Sequence, residues 1–350
     1  MNNDIQLVRY ITLRYADPIC AIDLTDKYLL YGTMLGTAAL YLINQKKLIT
    51  LSETNEENIS GAKIQENENQ KDIKSIICIG DNKILLFNSL EENLNEIPKY
   101  EEVNNYSNEN EHFQKCEKCF TMLKHNYLVR TFIEFPTEVK IPSSIYNTEY
   151  CIKNIQNLSS PEIKGSIQMS NYCVPFDFDG EKYVFIDFLE EKKRIFNIFN
   201  INTQQLMLNF EIEKFKEKIG HISLLELLKN DMMFLVRDYH ICEIRNLNFD
   251  LLRSFNLIGY EILAYDILYE DENDPDSLNI FVLDLKCNVI RYNYRRNIMD
   301  NLINLENLDI DQVIKDQKYF SMGYPYYIKV SKQYMAISSD YGCILLKYNI

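Results

Sequence analysis

The chain has 350 residues, is 46% hydrophobic, and sets 51 Asp and Glu against 37 Lys and Arg for a formal net charge of −14. With no cluster of Lys and Arg along the sequence, this balance argues against a nucleic-acid footprint and against anionic membranes as direct partners. No apolar run reaches the roughly 18 residues of a membrane-spanning helix, and the opening MNNDIQLVRYITLRYADP lacks the apolar segment of a signal peptide.

In chain order, YITLRY alternates Ile11, Leu13 and Tyr15 with Thr12 and Arg14, the period of a half-buried strand. YLLYGTMLGTAALYLIN then reads as two strands around Gly32 and Gly36, closing on Ile43-Asn44. The next hairpin, SIICIGD-NKILLFN, turns at Asp81 and closes on Phe87-Asn88. Residues 91–112 are polar, rich in Asn and Glu, and predict an insertion loop. Beyond them lie Cys116-Glu-Lys-Cys119, with His112 and His125 on either side, and the pair Tyr146-Asn147. KRIFNIFN ends on Phe199-Asn200. Residues 212–231 place Phe215, Ile219, Ile222 and Leu225 at helical spacing. MMFLVRD-YHICEIRNLN turns at Asp238 and closes on Leu247-Asn248, and NIFVLD-LKCNVIRYN turns at Asp284 and closes on Tyr292-Asn293. Residues 299–315 again have helical character and predict an insertion before YMAISSD-YGCILLKYN, which turns at Asp340 and closes on Tyr348-Asn349.

The seven apolar-Asn pairs step by 44, 59, 53, 48, 45 and 56 residues, the scale of a propeller blade. Near-continuous apolar hairpins suit strands covered on both faces by neighbouring blades. The outline resembles the WD-repeat family of β-propellers, with Gly220-His221, Asp238 and Leu247-Asn248 the nearest match to its Gly-His, turn Asp and terminal Trp-Asp pattern. The chain departs from the family in having no Trp and in placing Asn where Asp would end the repeat. The expected fold is therefore all-β, a single seven-bladed propeller over residues 1–350. The last repeat stops after its third strand, so residues 5–15 are expected to supply its fourth and close the ring.

No constellation carries an obvious chemistry. A lone CxxC without the second half of a zinc ribbon argues against a metal, and no cofactor is expected. Nine scattered cysteines, Cys20, Cys78, Cys242 and Cys343 among them inside apolar runs, read as reduced core thiols of a cytoplasmic protein. The turn aspartates Asp81, Asp238, Asp284 and Asp340 occupy one place in the repeat, which points to turn stabilisation. No G-x-S-x-G, P-loop or G-x-G-x-x-G occurs. The expectation is a non-catalytic protein-interaction scaffold, a subunit of a larger cytoplasmic or cytoskeletal assembly, with a ciliary one among the settings the resemblance suggests. A propeller hydrolase with a site at the central channel is the alternative. Two acidic segments, 65–72 and 269–276, fall between first and second strands of blades two and six. Glu66, Glu68, Asp271, Glu272, Asp274 and Asp276 are therefore the candidate interaction face, expected to attract a basic protein partner.

Overall fold

The computed structural model describes residues 5–12, 17–53, 58–66, 73–80, 83–90, 101–104, 118–124, 127–134, 146–154, 161–169, 173–189, 193–211, 222–257, 261–308, 325–339 and 342–348. They form seven four-stranded antiparallel sheets. Strand β1 is Gln6–Thr12. Blade one holds Ile19–Leu24 (β2), Tyr28–Thr33 (β3), Thr37–Leu42 (β4) and Lys47–Glu53 (β5). Blade two holds Ile59–Glu66 (β6), Ile73–Gly80 (β7), Lys83–Leu90 (β8) and Glu101–Asn104 (β9). Blade three follows with Lys118–Lys124 (β10), Tyr127–Glu134 (β11), Tyr146–Asn154 (β12) and Ile163–Met169 (β13). Blade four is Cys173–Phe178 (β14), Lys182–Leu189 (β15), Lys193–Asn200 (β16) and Gln205–Glu211 (β17). Blade five is Ile222–Leu228 (β18), Met232–Arg237 (β19), Ile241–Asn246 (β20) and Leu251–Asn256 (β21). Blade six is Ile262–Tyr269 (β22), Leu278–Asp284 (β23), Asn288–Asn293 (β24) and Ile298–Asn304 (β25). Blade seven has Pro325–Val330 (β26), Tyr334–Ser339 (β27) and Gly342–Lys347 (β28), and β1 is its fourth strand.

By contact the chain divides into two compact units, residues 1–106 with 260–350, and residues 107–259. In the first unit, blades six, seven, one and two are linked by contacts among β22, β26, β2 and β6, the first strands of their sheets. In the second, β14 of blade four touches β10 on one side and β18 on the other.

Apolar side chains from opposite faces of a strand feed two different core layers. In β3, Tyr28 and Leu30 pack towards blade two, while Leu29 and Tyr31 pack towards blade seven. Every residue of β3, β23 and β27 is consequently buried, which is why these segments read as unbroken apolar runs. In the second unit, Phe178, Tyr183 and Phe185 join blade three to blade four, and Phe196 and Ile198 join blade four to blade five.

The N-terminal strand closes blade seven as expected. β1 pairs antiparallel with β28 from Gln6↔Lys347 to Thr12↔Gly342. It also feeds both neighbouring layers, Tyr10 packing towards blade six and Ile11 towards blade one. Gly342 is required at this seam, because a Cβ there would lie 2.1 Å from the Ile11 carbonyl oxygen. Gly32 plays a similar part between blades one and two, where a Cβ would meet Ile59 Cγ2 at 2.3 Å.

Four expectations need correction. Residues 222–228 are strand β18, because Ile222 and Leu224 to Leu228 find ladder partners on β19, with an irregularity at Ser223, and this ladder outweighs the helical apolar spacing; residues 212–221 lie outside the described residues. Residues 299–304 belong to β25, paired with β24, and Leu305–Asn307 form a single 3-10 turn; residues 309–315 lie outside the described residues. Within the polar stretch 91–112, Glu101–Asn104 is a strand paired with Lys83–Leu86 on the edge of blade two, and residues 91–100 and 105–112 lie outside the described residues. Tyr146-Asn147 begins the third strand of blade three instead of ending it.

Removing residues 1–12 should destabilise the protein severely, since Tyr10 and Ile11 are buried and burial of such a side chain contributes about 1.5–3 kcal/mol. It also uncovers the edge of β28, so aggregation during urea unfolding is the expected accompaniment. Gly342→Ala should lower the unfolding midpoint in the same assay, with Gly36→Ala as a comparison for a glycine of positive φ.

Candidate functional site

The first strands carry a repeated device. Asp23, Asp177 and Asp266 are each the fifth residue of β2, β14 and β22. Each carboxylate accepts a hydrogen bond from the backbone N–H of the sixth residue of the next blade's first strand. The distances are 2.7 Å from Ile64, 2.6 Å from Leu227 and 2.7 Å from Val330. Two carboxylates also meet the lysine preceding that N–H, Lys63 at 3.7 Å from Asp23 and Lys329 at 2.7 Å from Asp266. A charged acceptor on a buried amide makes one of the stronger hydrogen bonds available to a protein. The sequence pattern draws attention to the turn aspartates; the signal for these three is an Asp followed by an apolar residue at the fifth position of the first strands of blades one, four and six.

The turn aspartates divide. Asp284 is fully buried and binds its own turn, Oδ1 accepting from Lys286 N at 2.9 Å and Asn288 N at 2.8 Å, and Oδ2 from Asn288 Nδ2 at 2.8 Å. Thr33 does the same for blade one, its Oγ1 accepting from Thr37 N at 3.0 Å. Asp238 instead takes a positive φ of 53°, and its carbonyl accepts from His240 Nδ1. Asp81, Asp340, Gly220-His221, Cys116, His112 and His125 lie outside the described residues. Among the described residues no group of three or more His, Cys, Asp and Glu is placed to hold a metal ion. Burial pushes the thiols of Cys78 and Cys343 up to about 12 and raises that of Cys242 as well.

A buried ionic group in blade five also belongs to packing. Glu243, 1% exposed, accepts from Arg237 Nε at 3.0 Å and Nη2 at 2.9 Å, and from Arg245 Nε at 2.7 Å. Arg245 in turn donates to the Phe249 carbonyl at 2.7 Å and lies over its ring. Both carboxylate oxygens are thus occupied by guanidinium donors, the condition for tolerating buried charge.

The acidic residues singled out from sequence stand at the corresponding ends of β6 and β22. Glu66 is exposed and accepts from Thr25 Oγ1 of blade one at 2.8 Å. The 270–277 loop is a folded turn whose Ser277 Oγ bridges Asp271 and Asp274 backbone oxygens at 2.8 and 2.6 Å. Asp271 Oδ1 accepts from Asn273 N at 2.9 Å, and Asp274 Oδ1 accepts from Asp276 N at 3.0 Å. Asp274 is further paired with Arg295. Asp271, Glu272 and Asp276 remain exposed, and Glu68 lies outside the described residues. The same end of the unit carries Lys27, Lys46, Lys47, Arg295, Arg296 and Lys332 on neighbouring turns, so its charge is mixed.

Four-stranded blades joined first strand to first strand define a β-propeller, and the solved structures similar to it include a WD40 β-propeller domain. The crystal structure of Chaetomium thermophilum Raptor matches with a TM-score of 0.58 and 7% identity, over 100% of this chain and 29% of that one. The chain therefore spans less than a third of Raptor's length. The WD40 β-propeller domain of Doa1 matches with a TM-score of 0.55 and 8% identity, over 98% of this chain and 97% of that one. The likeness is one of fold, a WD-repeat-like propeller. No protein-family model and no curated protein matches the sequence.

Asp177→Ala strips a buried amide of its acceptor, which costs about 1–3 kcal/mol. The expected outcome is a lower urea midpoint at unchanged slope, with Asp177→Asn intermediate because its amide oxygen still accepts. A variant as stable as the parent would show that the interblade bond contributes nothing net.

Proposed function

We propose that the protein is a non-catalytic interaction scaffold, one subunit of a larger cytoplasmic or cytoskeletal assembly. The observation that carries this reading is the use made of its polar side chains. Asp23, Asp177, Asp266, Asp284 and Glu243 are spent on backbone and guanidinium partners within the fold. What the blades leave exposed are turns on rigid hairpins, an arrangement suited to holding protein partners by shape and charge. Fold alone does not give function, and the assembly is an inference from the scaffold role of such propellers.

Within this reading, the loop of blade six and Glu66 of blade two attract a basic partner. Their field reaches about a Debye length, roughly 8 Å at physiological ionic strength, so they act on the association rate more than on affinity. Affinity capture with the full chain followed by mass spectrometry identifies the partner. Glu66→Gln, Asp271→Asn, Glu272→Gln and Asp276→Asn together should slow association of a Lys- and Arg-rich peptide by about two- to tenfold at low salt. Asp274 is left intact in that variant because it is paired with Arg295. The salt dependence should flatten while the unfolding midpoint stays put. An unchanged rate and slope would reduce these carboxylates to solvated turn residues.

A further inference from the structure

Cations gather at one end of the seam between blades seven and one, although the sequence shows no basic cluster. Three turns are bonded together there. Gln333 N donates to Asp26 Oδ1 at 3.0 Å, joining the turn after β26 to the turn after β2. Ile43 N donates to the Lys27 carbonyl at 2.9 Å, and Lys46 N to the Ile43 carbonyl at 3.3 Å, adding the turn after β4. Lys332, Lys27 and Lys46 therefore ride on turns linked one to the next, and Asp26 among them is engaged by a backbone amide. Residues 44–48 are all exposed. Leu48, 44% exposed, stands opposite Tyr41 in the β4–β5 ladder, so its side chain leaves the sheet on the side facing blade seven. Arg9, exposed on β1, completes the group from blade seven.

Two observations separate this seam from an ordinary solvated surface. Arg9, Lys27, Lys46 and Lys332 form no salt bridge with the described residues. In the blades around them, Lys63 pairs with Asp23, Lys329 with Asp266, Arg291 with Asp300 and Arg295 with Asp274. In a chain of net charge −14, cations left unpaired beside one another run against the average. The second is Tyr41, 1% exposed, whose buried hydroxyl has no hydrogen-bond partner. Buried polar groups are nearly always satisfied, so an exception on the seam side of the sheet points to a missing partner. Burial raises the pKa of this hydroxyl and the Arg9 guanidinium draws it partway back, which places Arg9 within electrostatic reach of it.

We propose that this seam binds an acidic segment of a partner protein, with carboxylates meeting Arg9, Lys27, Lys46 and Lys332, one drawing in the Tyr41 hydroxyl, and an apolar side chain resting on Leu48. The surroundings select the class of ligand. Glu66 of blade two and the acidic loop of blade six lie on the flanks at the same end. A nucleic-acid backbone or an anionic bilayer is a broad anion and would meet those carboxylates as well as the lysines. A short peptide segment fits between them. The binding does not depend on the acidic loops attracting a basic partner, so either reading can fail alone.

The test uses the full chain and a fluorescent short peptide of Asp and Glu with one central Leu, titrated by anisotropy. Phosphatidylserine vesicles and a single-stranded oligonucleotide serve as the other anions. The peptide should bind with salt-sensitive affinity and more tightly than either. Lys27→Glu with Lys46→Glu should weaken it by about tenfold, the summed effect of several exposed charge contacts, and Leu48→Ser by about threefold. Tyr41→Phe should weaken the peptide while leaving the unfolding midpoint unchanged, because the hydroxyl has no structural partner to lose. Neutralising the acidic loop of blade six should leave peptide binding intact or tighter. Absence of peptide binding, equal binding of vesicles or oligonucleotide, or indifference to the double charge reversal would each overturn the proposal. A lower midpoint for Tyr41→Phe would overturn the part assigned to the hydroxyl.

Discussion

The bond from a first-strand aspartate to the first strand of the next blade is the interaction on which the rest of the architecture leans. A four-stranded sheet satisfies its own ladder, but nothing in that ladder tells one sheet how to slide against another. Apolar contact is non-directional and tolerates such sliding. A carboxylate bonded to one amide does not. From the fifth residue of one strand to the sixth of the next, Asp23, Asp177 and Asp266 all select the same offset. Recurrence at one offset in three blade pairs, across both compact units, marks a registration device rather than an accident of packing. The lysines at Lys63 and Lys329 add charge to it where the pair lies near solvent.

With the offset set, the layers between sheets can be filled from both sides. Each interior strand gives alternate residues to alternate layers, so no strand has a polar face to spare. The N-terminal strand obeys the same rule although it comes from the far end of the sequence. Tyr10 and Ile11, adjacent in the chain, enter different layers, and Tyr348 seals the first of them against Phe281. Buried charge near these layers is met by donors, as Glu243 is by two arginines. Asp284 is saturated by its own turn.

Much of this was legible in the sequence because two-sided burial writes long apolar hairpins and the repeat spaces them evenly. The closing strand was legible for a related reason, since a last repeat one strand short requires a donor. The failures share a cause. Apolar spacing in residues 222–228 fits a helix as well as a strand, and only the ladder to Met232–Arg237 decides between them. Tyr146-Asn147 matches the pair that ends other third strands, yet it opens one, because a two-residue signature has no direction. The Asp23, Asp177 and Asp266 set was hidden because its partners are backbone amides 41, 50 and 64 residues away, which leave no mark on side-chain identity.

Charge was the property least legible from composition. A net charge of −14 suggests a uniformly acidic surface, and the acidic loops of blades two and six read from sequence as one face. In the structure the turns between them belong to blades seven and one, whose tips carry Lys332, Lys27 and Lys46. These lysines are far apart in the chain and no linear scan groups them. Part of the acidic surplus is internal besides: Asp274 is held by Arg295, while Asp23 and Asp266 face amides and lysines within the fold. Net charge therefore overstates how acidic this end of the protein is. A surface of alternating sign favours a partner whose own charges alternate to match, and it disfavours large polyanions and polycations alike. A short segment that spans only one of these patches escapes that penalty, whereas an extended partner of uniform charge meets repulsion at the neighbouring blade.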